Sequence, residues 1–445
     1  MSNIGMAMET RNHKRRCFIS PFSTLTLLGF LLLLASCGQN GTGSESSTSS
    51  AAKADNQPAT NVVAGAFTTL HMINAMIGWA ISWDISGSST YTILKTTDGG
   101  SHWKTMLKCL PTQGMGKDFI KECSTDFHSA SVATVVQPEY ESKTQTSRIR
   151  IFHTSDGGQT WQSSVINARD LETPAVFVDG LHGWVFATNH FPGPDPGSAY
   201  IGGQIVLYRT GDGGKTWQSI ASGPSTSQIA STTDDAYGIP PFAASTRMQF
   251  VTPSTGWLTG TGLHLDMSNY SWLYVTHDGG NSWHKVAISF PAQALSLWRP
   301  TFFTEQDGLF PVLTSGPAPQ YARGTMLYTT RDGGETWTST TVSFDVTNAV
   351  FIDMNHAVSA GDTDSKALYT TSDGWKHWTK VQIQTTFKRI YAFDFVSPAL
   401  GWALADNRTI FLPEPGGGIR KGDAIALLQT TDGGRTWREI AHSEV

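Results

Sequence analysis

The chain has 445 residues, of which 39% are hydrophobic and 15% are charged, and its formal net charge is −5. This mildly acidic composition argues against nonspecific nucleic-acid binding, because neutralisation of phosphates requires clustered Lys and Arg side chains. The sequence also lacks a basic patch of the kind that docks a protein on a membrane surface.

The first predicted element is an export signal at residues 1–36. Basic residues at 14–16 precede an apolar run at 25–34 that ends in Leu-Ala-Ser before Cys37, which is the order of a secretory signal. The Leu-Ala-Ser-Cys ending resembles the lipobox of bacterial lipoproteins, and that resemblance implies that Cys37 is lipidated and becomes the mature N-terminus. An uncleaved signal anchor is the alternative, because residues 17–37 carry no charge. Both interpretations predict an extracytoplasmic protein at the cell membrane.

Residues 37–61 are predicted to form the lipidated cysteine and a flexible tether. Ser, Thr, Gly and Ala dominate residues 38–61, which are therefore too polar to bury a core. Removal of residues 1–36 would take away four cations and one acid, which leaves a net charge of −8 on the mature chain. The expected partners are the membrane, through the lipid, and a protein or glycan, with no nucleic acid and with the chain itself a monomer.

Residues 62–445 repeat one short pattern, a hydroxyl residue or close substitute followed by Asp-Gly-Gly, two spacers and Trp. The seven aspartates of these Asp boxes are Asp98, Asp156, Asp212, Asp278, Asp332, Asp373 and Asp432. Self-similarity at this period indicates a repeat fold in which each unit buries its apolar surface against its neighbours. Each Asp carboxylate can accept hydrogen bonds from amides of its own turn, so these aspartates are structural rather than catalytic candidates.

Each repeat is predicted to contain four strands, named A to D from the centre outward. Alternating apolar stretches flank every Asp box, and a Gly-Trp pattern further upstream separates two more strands. We expect the first unit at about 66–74, 78–84, 91–97 and 102–109, and the last at about 389–397, 401–405, 424–430 and 436–442. The sequence therefore predicts an all-β fold, a seven-bladed β-propeller with four-stranded blades and an Asp box in each C–D hairpin.

Two cysteines, Cys109 and Cys123, remain after export and lipidation. In an oxidising compartment such a pair predicts a disulfide. The alternative is two unrelated buried thiols.

Long insertions in the repeats all fall on the B–C and D–A connections, which share one face of a propeller, here called the loop-rich face. They are residues 110–127, 137–147, 189–203, 222–245, 263–271, 315–324 and 406–423. Insertions that map to one face usually mark the functional face. Recognition candidates within them are His190, Asp195 and Tyr237.

Three arginines stand where D–A connections enter the innermost strands. Arg247, Arg299, which follows Trp298, and Arg389 are predicted to present cations to a carboxylate or phosphate at the mouth of the central channel. The alternative is that each arginine pairs with a neighbouring acid or extends its head group into water.

The Asp boxes invite comparison with sialidases, but no arginine lies between Arg16 and Arg148, so the first member of a sialidase arginine trio is missing. Another glycoside hydrolase site, with Asp195 facing Asp234 or Asp235, remains the alternative function. No metal-ligand cluster, Ser-His-Asp pattern or phosphate loop stands out, so no metal, cofactor or catalytic residue is predicted.

The repeat most closely resembles that of the photosystem II stability/assembly factor-like propellers. MIGWAIS through TILKTTDGGSHW, STGWLTG through WLYVTHDGGNSW and ALGWALA through ALLQTTDGGRTW follow the order of that repeat. The resemblance implies a non-enzymatic factor that binds membrane-protein intermediates through an arginine patch, for which Arg247, Arg299 and Arg389 are the candidates. It favours a membrane-anchored binding module over an enzyme.

Overall fold

The computed structural model describes most of the repeat region and a short segment before it. The described residues are 50–53, 62–84, 90–109, 123–141, 146–168, 170–171, 175–190, 203–224, 228–229, 247–264, 269–291, 294–315, 323–346, 349–360, 367–383, 387, 389–406 and 425–444. They form strands and turns, and no helix long and apolar enough to cross a membrane occurs among them.

The strands build seven sheets in chain order. Two short strands come first, β1 (Ser50–Lys53) and β2 (Val62–Ala64). Blade 1 contains β3 (Ala66–Met72), β4 (Gly78–Asp84), β5 (Thr90–Thr96) and β6 (Lys104–Cys109). Blade 2 contains β7 (Ser124–Asp126), β8 (Ala133–Glu141), β9 (Thr146–Thr154) and β10 (Thr160–Ile166).

In the next three blades the innermost position is shared by two short strands. Blade 3 contains β11 (Asp170–Leu171), β12 (Val176–Phe177), β13 (Gly183–His190), β14 (Gly203–Thr210) and β15 (Gln218–Pro224). Blade 4 contains β16 (Gln228–Ile229), β17 (Arg247–Phe250), β18 (Gly256–His264), β19 (Asn269–Thr276) and β20 (His284–Lys285). Blade 5 contains β21 (Ala294–Leu297), β22 (Thr301–Phe302), β23 (Gly308–Ser315), β24 (Arg323–Thr330) and β25 (Thr338–Val342).

Each of the last two blades contains four strands. Blade 6 contains β26 (Val350–Phe351), β27 (Ala357–Ala360), β28 (Ala367–Thr371) and β29 (Thr379–Gln382). Blade 7 contains β30 (Arg389–Phe395), β31 (Gly401–Asp406), β32 (Ile425–Thr430) and β33 (Arg438–Glu444). In every blade the A, B, C and D positions pair in sequence order, with both short inner strands of blades 3, 4 and 5 pairing with the B strand, so the A–B and C–D turns lie at one face.

The seven-bladed propeller predicted from the repeats is confirmed, and the strands of the first and last units lie within two residues of the expected bounds. Each interface between neighbouring blades holds one cluster of buried apolar residues, so the described residues form seven such clusters. The cluster between blades 7 and 1 includes Trp402 and Phe67, which shows that the ring is closed. Each blade is thus stabilised by its two neighbours.

Two N-terminal strands add to the outer edges of blades. β2 pairs in parallel with β33 of blade 7, and Gly65, at a φ of 82°, turns the chain from β2 into β3 of blade 1. β1 pairs with β10 on the edge of blade 2. Residues 50–53 lie within the segment predicted as a tether, so this part is a strand, whereas residues 37–49 and 54–61 lie outside the described residues, as does the predicted signal at 1–36.

Candidate functional site

The seven aspartates of the repeated pattern lie in the C–D hairpins and serve their own turns. At Asp212, Oδ1 accepts hydrogen bonds from the Thr210 hydroxyl at 2.8 Å and the Thr216 amide at 3.0 Å, and Oδ2 accepts one from the Thr216 hydroxyl at 2.6 Å. The amide of the following Gly213, at a φ of 75°, donates to the Leu181 carbonyl of the A–B turn at 2.9 Å. A hydrogen bond of this last kind occurs in all seven blades, so each aspartate turn is joined to the A–B turn beside it.

These hydrogen bonds favour the ionised carboxylates. Hydroxyl or imidazole donors, together with turn amides, lower the pKa of three of the aspartates to about 2; they are Asp332, Asp373 and Asp432. A carboxylate held ionised in this way is a poor general acid near neutral pH. The aspartate turns are therefore a structural face, and the candidate site lies elsewhere.

Tryptophans of the B strands join each blade to the next at the aspartate turns. The Nε1 of Trp184 donates to the Gly279 carbonyl at 2.9 Å, and that of Trp257 donates to the Gly333 carbonyl at 3.2 Å. Trp402 of blade 7 donates to the Gly99 carbonyl of blade 1 at 2.8 Å. These aromatic side chains are committed to blade packing, as the sequence predicts, and do not form a ligand cage.

Closer to the channel, one residue of each inner strand occupies an equivalent place, because it pairs with the second residue of its B strand. These seven residues, here called the inner ring, are His71, Asp126, Val176, Gln249, Thr301, Val350 and Asp394. Side chains alternate along a strand, so all seven point the same way, toward the inner strand of the following blade.

Three polar members of the inner ring bind the backbone of the following blade. Asp394 Oδ2 accepts a hydrogen bond from the Met72 amide at 2.5 Å, and Asp126 Oδ2 accepts one from the Phe177 amide at 2.8 Å. The Gln249 amide group both accepts from and donates to the backbone of Phe302. The inner wall of the ring is therefore held together by buried and half-buried polar groups whose partners are supplied by neighbouring blades.

The acids of the inner ring interact with a histidine. His71 Nδ1 lies 3.4 Å from Asp394 Oδ2, with the His71 side chain 47% exposed and that of Asp394 12% exposed. Burial lowers the pKa of His71, but the neighbouring Asp394 carboxylate outweighs it, and the net pKa is raised. Burial raises the pKa of Asp126 against the opposing effects of its hydrogen bond to Phe177 and the charge of Arg299.

Two of the predicted arginines lie in this region, each two residues before the inner-ring residue of its own blade. Arg247 of blade 4 is half-buried, and burial lowers the pKa of its guanidinium. Arg299 of blade 5 does not stand at the entry of its inner strand as predicted, because β21 precedes it and it lies between β21 and β22; it is exposed, and its charge acts on both His71 and Asp126. Arg299 makes no hydrogen bond or ion pair with the residues that the structure describes, so its donors are available to a ligand.

The other predicted site residues are placed only in part. Arg389 is the first residue of β30 and pairs in register with Asp406, and His190 is the last residue of β13. Nothing further is described for the Arg389 and His190 side chains. Trp298 is half-buried, its carbonyl accepts the Thr259 hydroxyl at 2.9 Å, and its buried Nε1 has no partner among the described residues.

Residues predicted on the longest insertions lie outside the described residues. This applies to Tyr237 and to the acids of the glycosidase alternative, Asp195, Asp234 and Asp235. It applies equally to the lipidation candidate Cys37. Their roles stay predictions.

Cys109 and Cys123 are both buried in the cluster between blades 1 and 2, and both are thiols in this structure. Their presence in one cluster is compatible with either interpretation made from the sequence. The disulfide therefore stays a prediction.

No sequence pattern singled out His71, Asp126 or Asp394 as candidate site residues. The signal that would have found them is positional, because each stands eight residues before the second residue of its B strand, which is Trp79, Thr134 or Trp402. Among the described residues, no group of three or more His, Cys, Asp or Glu side chains is arranged to hold a metal ion.

No protein-family model matches the sequence, and no curated protein matches it either. Solved structures do resemble the fold. YCF48 bound to D1 peptide aligns at 16% identity over 80% of this chain and 92% of that chain, with a TM-score of 0.41. The acylaminoacyl peptidase of Pyrococcus horikoshii aligns at 10% identity over 84% of this chain and 52% of that chain, with a TM-score of 0.49.

Enzymes with polysaccharide substrates also share the architecture. The xyloglucanase of Xanthomonas campestris aligns at 12% identity over 88% of this chain and 69% of that chain, with a TM-score of 0.36. At such low identity these likenesses concern the fold alone, which hosts both binding proteins and enzymes. The comparisons therefore leave the function of this chain to the site itself.

Proposed function

We propose that this protein is a non-catalytic, membrane-anchored propeller that binds an anionic segment of a protein partner at its loop-rich face. The observation that carries the proposal is the pair of arginines at the inner positions of adjacent blades, Arg247 of blade 4 and Arg299 of blade 5. Arg247 is the first residue of β17, and Arg299 lies between β21 and β22, so each is two residues before the inner-ring residue of its blade, on the side of the loop-rich face. Arginine is suited to this role because its planar group binds carboxylates and phosphates through two parallel hydrogen bonds.

Arg299 is the arginine of the pair that is better placed to bind a ligand. Its guanidinium is exposed and has no hydrogen-bond acceptor among the described residues, although the half-buried carboxylate of Asp126 lies within its electrostatic range. A cation that is satisfied by an internal ion pair has little to offer a ligand, whereas Arg299 is not satisfied in this way. The resemblance of the repeat to photosystem II assembly factor-like propellers supports a protein rather than a glycan as the partner.

The proposed location is the outer side of the cell membrane. The basic residues at 14–16, the apolar run at 25–34 and Cys37 support export and lipidation. A lipid on Cys37 would hold the propeller near membrane proteins, which are the partners that the resemblance implies. Mass spectrometry of the mature N-terminus tests this part, because a diacylated Cys37 is expected and a chain that retains residues 1–36 would contradict it.

Affinity capture from envelope extracts tests partner binding. The bait is the full chain, and the variants are Arg247→Gln with Arg299→Gln, and separately Arg331→Gln as a matched control. Arg331 is exposed on the opposite face and pairs with Asp307 at 3.3 Å, so its loss removes a charge without touching the proposed site. We expect a specific protein to be lost from the double variant and retained by the control.

Two results would contradict the proposal. One is a partner that binds the wild type and the double arginine variant equally. The other is turnover of fluorogenic glycosides by the wild-type chain, since hydrolysis would favour the glycoside hydrolase alternative.

A further inference from the structure

The D strand is the outermost strand of each repeat, and most of these outer edges are protected against pairing with another chain. Proteins protect an edge strand by keeping it short, by a bulge, by charged residues or by a cover. The D strands of blades 1, 3 and 7 each have a bulge in their pairing with the C strand. Those of blades 4, 5 and 6 have only two, five and four residues.

Blade 2 has the outer edge that its own D strand protects least. β10 has seven residues, pairs with β9 without a bulge and contains no charged residue. Its first four residues, Thr-Trp-Gln-Ser at 160–163, recur in blade 3 at 216–219. Because an edge of this kind presents a regular row of backbone amides and carbonyls, β10 is suited to accept an added strand.

The added strand is β1, which comes from the segment before the propeller. Its four residues pair antiparallel with β10, from Ser50 opposite Ser163 to Lys53 opposite Thr160. Within the described part of the chain no strand is added to the D strand of blade 3, although that strand begins with the same residues. Blade 3 is therefore an internal control for the effect of β1.

The burial of Ser163 shows that β1 covers the edge of blade 2. Ser163 is 4% exposed, and it lies two residues after Trp161 of the aspartate turn. At the equivalent place in the other six blades the residue is exposed or half-buried; these residues are Thr105, Ser219, Lys285, Ser339, Lys380 and Glu439. Burial at this place is thus confined to the blade that has the added strand.

We propose that the outer edge of blade 2 is a strand-binding site, which residues 50–53 occupy within their own chain and thereby close to a second copy of the chain. Recognition of this kind uses the backbone ladder, so the occupant has to be extended and free of bulky or repelling side chains. Ser50, Ala51 and Ala52 meet this requirement, since they are small and uncharged. Their covalent connection to the propeller gives them a high effective concentration at the edge, which favours them over a strand from another chain.

This site lies on the rim of blade 2, apart from the arginines of blades 4 and 5. It requires neither the lipid anchor nor a partner at the loop-rich face. Its failure would therefore leave the proposed function untouched.

Cysteine cross-linking of the full chain tests which segment occupies the edge. Opposite residues of an antiparallel pair have Cα atoms about 4.5–5.5 Å apart, which a disulfide can span. We expect Ala51→Cys with Gln162→Cys, or the next pair, Ser50→Cys with Ser163→Cys, to form a disulfide within one chain. Peptide mapping identifies the joined cysteines, and migration on a denaturing gel separates a link within one chain from a link between two chains.

The matched control places the second cysteine on blade 3. Gln218 follows the Trp of its aspartate turn as Gln162 does, and both side chains are exposed. Ala51→Cys with Gln218→Cys should therefore give no disulfide. Equal cross-linking at 162 and 218, or no cross-link in either blade 2 pair, would contradict the docking of residues 50–53. A link between two chains would contradict the occupant proposed, because a second copy would then supply the strand.

Removal of β1 tests the protective role. In a strand only one of two consecutive amides faces a given neighbour, so Ala51→Pro with Ala52→Pro removes an amide that donates to β10. We expect this variant to self-associate in sedimentation of the full chain in detergent. Adding Gln162→Lys should restore the sedimentation of the wild type, because a lysine on an edge strand opposes pairing with another chain.

Gln218→Lys in the same proline variant is the control and should not restore it. Unfolding caused by the prolines would not be reversed by a lysine at one edge alone, so selective rescue by Gln162→Lys separates edge pairing from misfolding. A proline variant that sediments like the wild type would overturn the proposal. An equal effect of the two lysines would overturn it as well.

Discussion

Blade 6 contains a reciprocal exchange that offers a quantitative test of how the blades pack. Its aspartate turn has Trp375 where every other turn has a second Gly, and the preceding blade has Leu309 where blades 1, 3, 4 and 7 have Trp. Trp375 adopts a φ of 74° and is only 2% exposed, in the same cluster as Leu309. At the interface between blades 4 and 5 the Trp is on the B strand instead, as Trp257, and the turn has Gly334. A Cβ on Gly334 would lie 3.5 Å from Nε1 of Trp257.

The exchange predicts that mutations at positions 309 and 375 have non-additive effects on the free energy of unfolding. Trp375→Gly removes a buried aromatic side chain, which costs about 3–5 kcal/mol of stability. Glycine adopts the left-handed backbone conformation without strain, which offsets this loss by about 1 kcal/mol. The free energy of unfolding should therefore fall by about 2–4 kcal/mol. Leu309→Trp alone should overpack the interface and lower it by about 1–3 kcal/mol. In the double variant the new Trp fills the space left at 375, so the loss should be smaller than the sum by at least about 1 kcal/mol.

Urea unfolding followed by far-UV circular dichroism measures these differences without depending on tryptophan fluorescence. Gly334→Trp in blade 5 is the matched control, because Trp257 already fills that interface and a second Trp has no space. It should destabilise the protein and should not be rescued by Leu309→Trp. Additive effects in the 309/375 cycle would refute the idea that the two side chains occupy one shared volume.

Three further predictions follow from the turns, the ring closure and the cysteines. Hydrogen bonds lower the pKa of three turn aspartates from 3.8 to about 2, so the stability that the ionised carboxylates provide should be present above pH 4 and lost as the pH falls toward 2. In the Asp332→Asn variant the midpoint of urea unfolding should depend less steeply on pH over this range. A pH dependence equal to that of the wild type would contradict the prediction. Trp402→Phe should reduce the free energy of unfolding by about 1–3 kcal/mol, because the Gly99 carbonyl loses its donor at the closing interface, and a neutral effect would argue against that role. Non-reducing peptide mapping of the exported protein should join Cys109 to Cys123, and recovery of both as free thiols would exclude the disulfide.

The candidate site was only partly predictable. Arg247 and Arg299 could be found because a cation shortly before the Gly-Trp or Gly-Leu pair is visible in a single repeat. The position of these arginines relative to Asp126 and Asp394 could not be predicted, because the acids belong to blades that are distant in the sequence and are brought near only by closure of the ring. The sequence also left open whether Arg299 binds a ligand or pairs with a neighbouring acid. Only the three-dimensional surroundings show that no described acid pairs with it.

The sequence by itself determined the number of blades, the four strands of each and the hairpins that carry the aspartates. These features depend on contacts within one repeat, where glycines, hydroxyl groups and alternating apolar residues act over a few positions. The tertiary structure decided the rest. It placed β2 on the last blade, put Trp375 in the space beside Leu309 and brought the charge of Arg299 near Asp126 and His71, because each of these depends on residues that meet only when the ring is formed.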